Sequence, residues 1–329
     1  MTAYLLRRAL IGVVTLFVIT ALLFALIRNI PGTPLTLSLG EADLGKKQSP
    51  EDLALLNKAY GLDKTWYEAY GDWLLGLARG DMGDSLRYRT PVSGLIRRHI
   101  GPTLLLSVSS FVITYVLSIP LGLYMTRNGG RLSERTLSVL FYMLYSLPVY
   151  VAAIWLLYYF YLRLQGTIWQ LPPGMVSDNH AEMSPIGKIL DIGKHLILPL
   201  LCYSYGVLAF DTRFIKSNME EVIRQDYIRT ARAKGLDDGT ILWKHAFRNT
   251  LIPFVTLIGL TLPGLISGAV ILEQIFNWPG IGSLFFEAVS FRDYTLIMGL
   301  ALMFSAATLL GNLLADILYA LVDPRITYK

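Results

Sequence analysis

Six long apolar runs, each nearly free of charge, constrain this 329-residue chain more than any other feature: 9–27, 103–126, 137–162, 196–210, 250–272 and 295–315. Each approaches the roughly 20 apolar residues that cross a bilayer as one helix. The fourth is the shortest, and it reaches 214 only by carrying Asp211 and Arg213. Apolar residues make up 53% of the chain and charged residues 16%, with a positive mean hydropathy, which excludes an ordinary soluble domain. The expected fold class is an all-α integral membrane protein of about six transmembrane helices, with a folded extracytoplasmic loop of short helices.

Charge sets the orientation. Arg7 and Arg8 precede the first run like the start of a secretory signal. That run is longer than a signal core, and Arg28-Asn-Ile-Pro31 offers no small-residue cleavage site, so a retained helix is expected. With the N-terminus held inside, the inside connections carry Arg127, Arg131, Arg135, then a dense set from Arg213 to Arg248, then Arg325 and Lys329. The short outside connections carry only Arg163, Lys188, Lys194 and Arg292, which agrees with the positive-inside rule. Arg97 and Arg98 lie outside, but at the end of a long loop that largely escapes the rule. The net charge of +5 is thereby assigned to topology and anionic lipid, and nucleic acid is not expected as a partner. The organisation expected is a first transmembrane helix (1–28), an extracytoplasmic loop domain (29–101), a five-helix transmembrane core (102–322) containing a cytoplasmic segment (216–249), and a cytoplasmic tail (323–329). Both termini are expected in the cytoplasm.

Within the outer loop, Ser49-Pro-Glu-Asp52 has the cap, N1 proline and early acids of a helix start, with Leu53, Leu56 and Tyr60 following at helical spacing. Trp66, Tyr70, Trp73 and Leu77 form an aromatic stripe on a second helix. Such a stripe either packs within the loop or at lipid headgroups, or docks an external partner. Gly80-Asp-Met-Gly83-Asp-Ser reads as a turn, and 165–194 as an irregular surface connection.

Pro120, Pro148, Pro199, Pro253 and Pro263 interrupt the spans, alongside Gly259, Gly264 and Gly268. A proline frees a carbonyl that neighbours or a wet cavity must satisfy, so these breaks are either pathway-lining features or helix-packing contacts. Ionisable residues are confined to span ends: His195, Asp211, Glu273 and Asp316. An ion-coupled carrier usually keeps such groups at depth, so that class is disfavoured. No Gly-x-x-x-x-Gly-Lys-Ser/Thr loop is present, so the chain is not expected to bind ATP by a P-loop of its own. Cys202 is the single cysteine, the four histidines are scattered, and Ser267 is not in a nucleophile elbow; neither a metal site nor a catalytic centre is expected.

The charged cytoplasmic segment carries the most specific signal. Ile223, Tyr227 and Ala231 fall on one helical face, with Arg224, Arg229, Arg232 and Lys234 largely elsewhere. Gly235 is a natural C-cap, and Asp237 or Asp238 can cap a second helix through Ile241, Leu242 and His245. Read from periodicity alone, this is a helix, turn and helix that either lies on lipid or is gripped by a partner.

These residues resemble the cytoplasmic loop of permease subunits of binding-protein-dependent ABC importers, the EAA loop, with Arg229-Thr230-Ala231 in the EAA positions and Gly235 at the motif glycine. The peptide-importer branch resembles the chain more fully, through Asp226-Tyr-Ile-Arg-Thr-Ala-Arg-Ala-Lys-Gly-Leu236, His245 to Pro253, Gly80 to Ser85, Pro31-Gly-Thr-Pro34, Ser146-Leu-Pro148, Glu273 to Gly282 and Asp323-Pro-Arg325. The long first outer loop is similar to that of the B-type subunit of dipeptide and oligopeptide permeases. The resemblance implies the type I ABC importer permease fold in the bacterial cytoplasmic (inner) membrane. It also implies a heterodimer with a second permease, two cytoplasmic ATPase subunits that bind ATP and Mg, and an extracytoplasmic substrate-binding protein. Coupling to the ATPases is expected at Tyr227, Arg229, Thr230, Ala231, Ala233, Lys234, Gly235, Leu236 and Asp237. Pathway or gate candidates are Pro148, Pro253, Gly259, Pro263, Gly264, Glu273 and Trp278, and binding-protein docking candidates are Trp66, Tyr70 and Trp73. The same family includes nickel, glutathione and sugar importers, so the substrate stays open; a secondary carrier and a membrane enzyme are the readings from other classes.

Overall fold

The computed structural model describes residues 2–29, 64–262 and 264–322. Pro263, the helix start at 49–52 and the motifs at 31–34 and 323–325 lie outside the described residues. Among them the regular structure is helical, with one isolated bridge between Asp84 and Pro91. The elements are α1 (Thr2–Asn29), α2 (Trp66–Ala78), α3 (Val92–Arg127), α4 (Leu132–Ser146), α5 (Val149–Leu157), α6 (Pro185–Ile223), α7 (Asp226–Ala233), α8 (Asp238–Thr240), α9 (Arg248–Thr261), α10 (Gly264–Ser267), α11 (Val270–Ile275), α12 (Ile281–Ser290) and α13 (Tyr294–Val322). Wide π-helical turns extend α5 over Tyr158–Arg163 and join α8 to α9 over Ile241–Phe247. Five helical stretches are long and apolar enough to cross a membrane, and a bent pair, Leu132–Ser146 with Val149–Arg163, makes a sixth if it is one span. The chain is thus a multi-pass membrane protein.

The third apolar run is broken, and the sequence says where. Proline pushes its predecessor out of the helical region, and Leu147 is extended at φ −77, ψ 118 while Pro148 caps α5. The two halves meet at 92°. Tyr205 on α6 donates its hydroxyl to the Leu147 carbonyl at 2.6 Å, which satisfies an acceptor that the break exposes.

The fourth span is much longer than the expected 196–210. Ser184 caps α6 by accepting from Gly187 N, Pro185 sits in the first turn, and the helix runs 39 residues to Ile223. Hydropathy missed its ends because they carry polar residues, which the fold buries: Asp191, His195, Asp211 and Thr212. Asp191 accepts from Ser177 N at 3.0 Å and pairs with His180 Nδ1 at 2.7 Å, while His195 Nδ1 lies 2.9 Å from the Asp191 carbonyl. Two histidines 15 positions apart therefore meet at one aspartate and tie the connection before α6 down.

The fifth run is not one helix either. After α9, the short α10 ends at Ser267, and Gly268 turns the chain with φ +69 before α11. Gly264 and Gly268 do not share a packing face: Gly264 is exposed with open space around its Cα, whereas Gly268 abuts Glu273 and Thr103.

The chain divides into two compact units, one taking 284–310 together with the described residues up to 101, the other 102–283 and 311–322. In the first, Tyr70 of α2 is 5% exposed between Phe17 and Phe24 of α1, and its hydroxyl meets Thr20 Oγ1 at 2.9 Å. The 80–85 turn uses Gly80 and Gly83 at φ +81 and +80, and Asp293 accepts from Ser85 Oγ, Arg87 N and the α13 amide Leu296 N. Tyr88 OH donates to Glu287 nearby, and burial with that carboxylate pushes the phenol up to about 12. In the second unit one core cluster joins α3, α6, α7, the π turn and α9 through Leu123, Ile215, Met219, Ile228, Ala231, Leu242 and Phe254.

Candidate functional site

The charged segment after α6 folds as a helix, a glycine turn and a second helix. A break at Arg224 and Gln225 separates α7 from α6, and this shifts the inward face. Ile228 (0% exposed) and Ala231 (6%) pack into the core, whereas Tyr227, expected to share that face with Ile223 and Ala231, is 41% exposed. The C-terminus of α7 closes with the two bonds of a Schellman turn, Gly235 N to Arg232 O at 2.9 Å and Leu236 N to Ala231 O at 3.4 Å. Gly235 has φ +79, a conformation that only glycine enters freely. Asp237 caps the next helix by accepting from Gly239 N and Thr240 N, both at 2.9 Å, and these amides hold its carboxyl below the usual carboxylate range.

The segment therefore has a buried seam and an exposed crest. Tyr227, Arg229, Thr230, Ala233, Lys234, Gly235, Leu236 and Asp237 are all exposed, and no atom lies within 4 Å of where a Gly235 side chain would begin. Ala231 belongs to the seam, not the crest, so its small size serves internal packing. Asn249 Nδ2 donates to Tyr227 OH at 2.6 Å, tying the start of α7 to the base of α9. Trp243 on the π turn is 53% exposed; as an apolar residue in a segment singled out for its charge, it drew no attention in sequence.

The outer candidates form a different object. Glu273 is 1% exposed and Trp278 0%. One carboxylate oxygen accepts from Thr103 Oγ1 at 3.0 Å and the other from Ser283 N at 2.9 Å; Thr103 Oγ1 in turn accepts from Ile281 N at 2.7 Å. Trp278 donates its indole N–H to Pro102 O at 2.9 Å. A Cβ on Gly280 would fall 2.5 Å from Thr103 Oγ1, and one on Gly282 would fall 2.8 Å from the Val270 backbone. The run from Glu273 to Gly282 is thus a turn folded around a carboxylate, and its glycines are the room that carboxylate needs. Thr103, essential to it, looked in sequence like one more tolerated hydroxyl in an apolar run.

Of the remaining pathway candidates, Pro148 makes the bend in the third span, Pro253 is half-buried within α9 and Gly259 is buried there. Of the docking candidates, Trp66 is 42% exposed and Trp73 half-buried, while Tyr70 is committed to α1.

Residues 118–328 match the family model described as the binding-protein-dependent transport system inner membrane component, and residues 1–94 match the N-terminal model of the same transport system membrane component. The chain is 37% identical to the oligopeptide transport system permease protein AppB of Bacillus subtilis and 34% identical to the dipeptide transport system permease protein DppB of Escherichia coli K12, covering all of both chains in each case. It is 34% identical, again over full length, to a di/tripeptide permease protein of Pseudomonas aeruginosa. Among solved structures, an inward-facing MetNI methionine ABC transporter chain matches with a TM-score of 0.50 at 18% identity, covering 70% of this chain and 97% of that one, which is a likeness of fold. With its helical architecture and matches from end to end, this chain belongs to the binding-protein-dependent transport system inner membrane components, the permease subunits of ABC importers.

Proposed function

We infer that the chain forms part of the translocation pathway for peptides in an ATP-driven importer of the bacterial inner membrane, with both termini in the cytoplasm. It pairs with a second permease, receives substrate from an extracytoplasmic binding protein, and is driven by two ATPase subunits that hold the ATP and Mg; the chain itself carries out no catalysis. The observation that carries this reading is the Gly235 crest: a short helix and turn whose inner side is locked into the transmembrane core while its outer side is open. A surface of that kind can pass a partner's movement into α6 and α9 as a rigid lever, biasing one transmembrane packing over another. The peptide assignment is supported by the names of the full-length relatives.

Reconstitution of the complete complex in proteoliposomes tests it. Gly235→Asn keeps the left-handed turn accessible and adds bulk at the crest, whereas Gly235→Val also strains the backbone. Both variants should insert and assemble, and both should lower ATP-dependent peptide uptake by about tenfold or more, equivalent to ~1.4 kcal/mol of lost coupling. Undiminished uptake in the Asn variant would remove the crest from the coupling path.

A further inference from the structure

A second site lies on the other side of α6. A cavity of about 360 Å³ is lined by Ser138 and Tyr142 of α4 and by Phe210, Arg213, Lys216 and Glu220 of α6, among others. Its charges are answered unequally. Lys216 is held by Glu134 at 2.6 Å and Glu220 at 3.4 Å. Arg213 has no ion partner among the described residues, and its Nε is buried without a hydrogen-bond acceptor. Its guanidinium carbon instead lies over two rings, 4.4 Å from the Tyr142 ring centre and 4.9 Å from that of Tyr145. Contact with the rings is electrostatic and leaves the buried Nε–H without an acceptor, a donor that an oxyanion would answer.

The depth of the cavity and its walls identify the occupant. Glu134 stands in the first turn of α4, directly after the basic connection through Arg127 and Arg131, so the Lys216 pair marks the cytoplasmic edge of the membrane. Beside this polar floor, Tyr142, Tyr145 and Phe210 are 62%, 54% and 38% exposed, an apolar rim suited to an acyl chain. A free phosphate would use the guanidinium and leave that rim bare. We propose that this cavity is a binding site for an anionic phospholipid of the inner leaflet, with Arg213 gripping the phosphodiester and the aromatic rim holding the chain below it.

The test uses the assembled complex, delipidated and returned to nanodiscs of phosphatidylcholine with or without phosphatidylglycerol. Phosphatidylglycerol should raise the melting temperature of the wild type and stay bound in native mass spectrometry. Arg213→Gln should match the wild type in phosphatidylcholine and bind phosphatidylglycerol about tenfold more weakly, the loss of one charge-assisted contact. Arg135→Gln, which removes an exposed cation nearby, should retain the wild-type response. If Arg213→Gln fails to assemble, a photoactivatable phosphatidylglycerol on the wild type decides instead, and it should label peptides from 132–146 and 210–220. An equal loss in both arginine variants, an equal stabilisation by inorganic phosphate alone, or labelling confined to other segments would each overturn the proposal. None of these readouts depends on peptide transport, so the site stands or falls apart from the transported substrate.

Discussion

At Glu273 a carboxylate is buried to 1% exposure and answered by hydroxyl and backbone donors, with no ion pair among the described residues. That arrangement makes the turn after α11 depend on a few ångströms of free space. Gly280→Ala would drive a methyl group into Thr103 Oγ1 and the carboxylate, and overpacking of this kind costs about 1–3 kcal/mol. Gly264→Ala meets nothing within 4 Å and serves as the control. In thermal unfolding of the purified protein the first variant should melt several degrees lower than the second; equal melting would show that the turn can shift without loss. Asp293 makes the same point in the other unit. Its carboxylate collects Ser85, Arg87 and Leu296, so Asp293→Ala leaves two buried donors, Ser85 Oγ and Leu296 N, without this acceptor and should destabilise by about 3 kcal/mol, measured by the same melting experiment. Glu273 and Trp278 stand out in the sequence because each is conspicuous in an apolar context. Their chemistry was not, because Thr103 lies 170 positions from Glu273 and no local pattern announces such a partner.

Helices in this chain end where local chemistry says they should, and fail to end where hydropathy says they should. The Gly235 turn and the Asp237 cap were both readable, since each is set by one residue and its immediate neighbours. The length of α6 was not, because its outer polar residues are compensated by contacts from other elements, such as Ser177 and His180 on Asp191. Pro148 was visible as a break, but the 92° bend it permits depends also on Tyr205 reaching Leu147. With spin labels at Tyr142→Cys and Trp155→Cys, two exposed positions on either arm, the native chain should give one narrow distance in a background lacking Cys202. Pro148→Ala should broaden and lengthen it as Leu147 regains access to the helical region. An unchanged distribution would assign the bend to Tyr205 and packing alone. The Asp237 cap has its own pH signature. A carboxyl whose folded pKa lies below its unfolded value stabilises the fold above the ordinary aspartate range and loses that contribution as pH falls through the depressed value. Amide exchange at Gly239 and Thr240 should therefore accelerate, beyond the intrinsic pH trend, only in strong acid; the acceleration should be absent in Asp237→Asn.

Across the whole molecule, the bent pair is the pivot of the topology. Counted as a span, it places the connection at 128–131 inside and the connection after Arg163 outside, and α6 then returns the Gly235 turn to the cytoplasm. Counted as a re-entrant loop, it leaves both connections on one side, and the Gly235 turn emerges outside, where no ATPase can reach it. The two arrangements differ in a single measurement. Cys202 is buried, so cysteines introduced singly at Gly129 and Trp169, both exposed, report on the two connections with little background. A membrane-impermeant maleimide applied to spheroplasts should label Trp169→Cys at once and Gly129→Cys only after permeabilisation. Labelling of neither from outside would make the pair re-entrant and remove the Gly235 crest from the cytoplasm, and labelling of both would overturn the inside placement of 128–131. The basic residues from Arg213 to Arg248 argue for the first outcome, because a re-entrant pair would move that cluster to the outer face and reverse the charge bias that orients the chain.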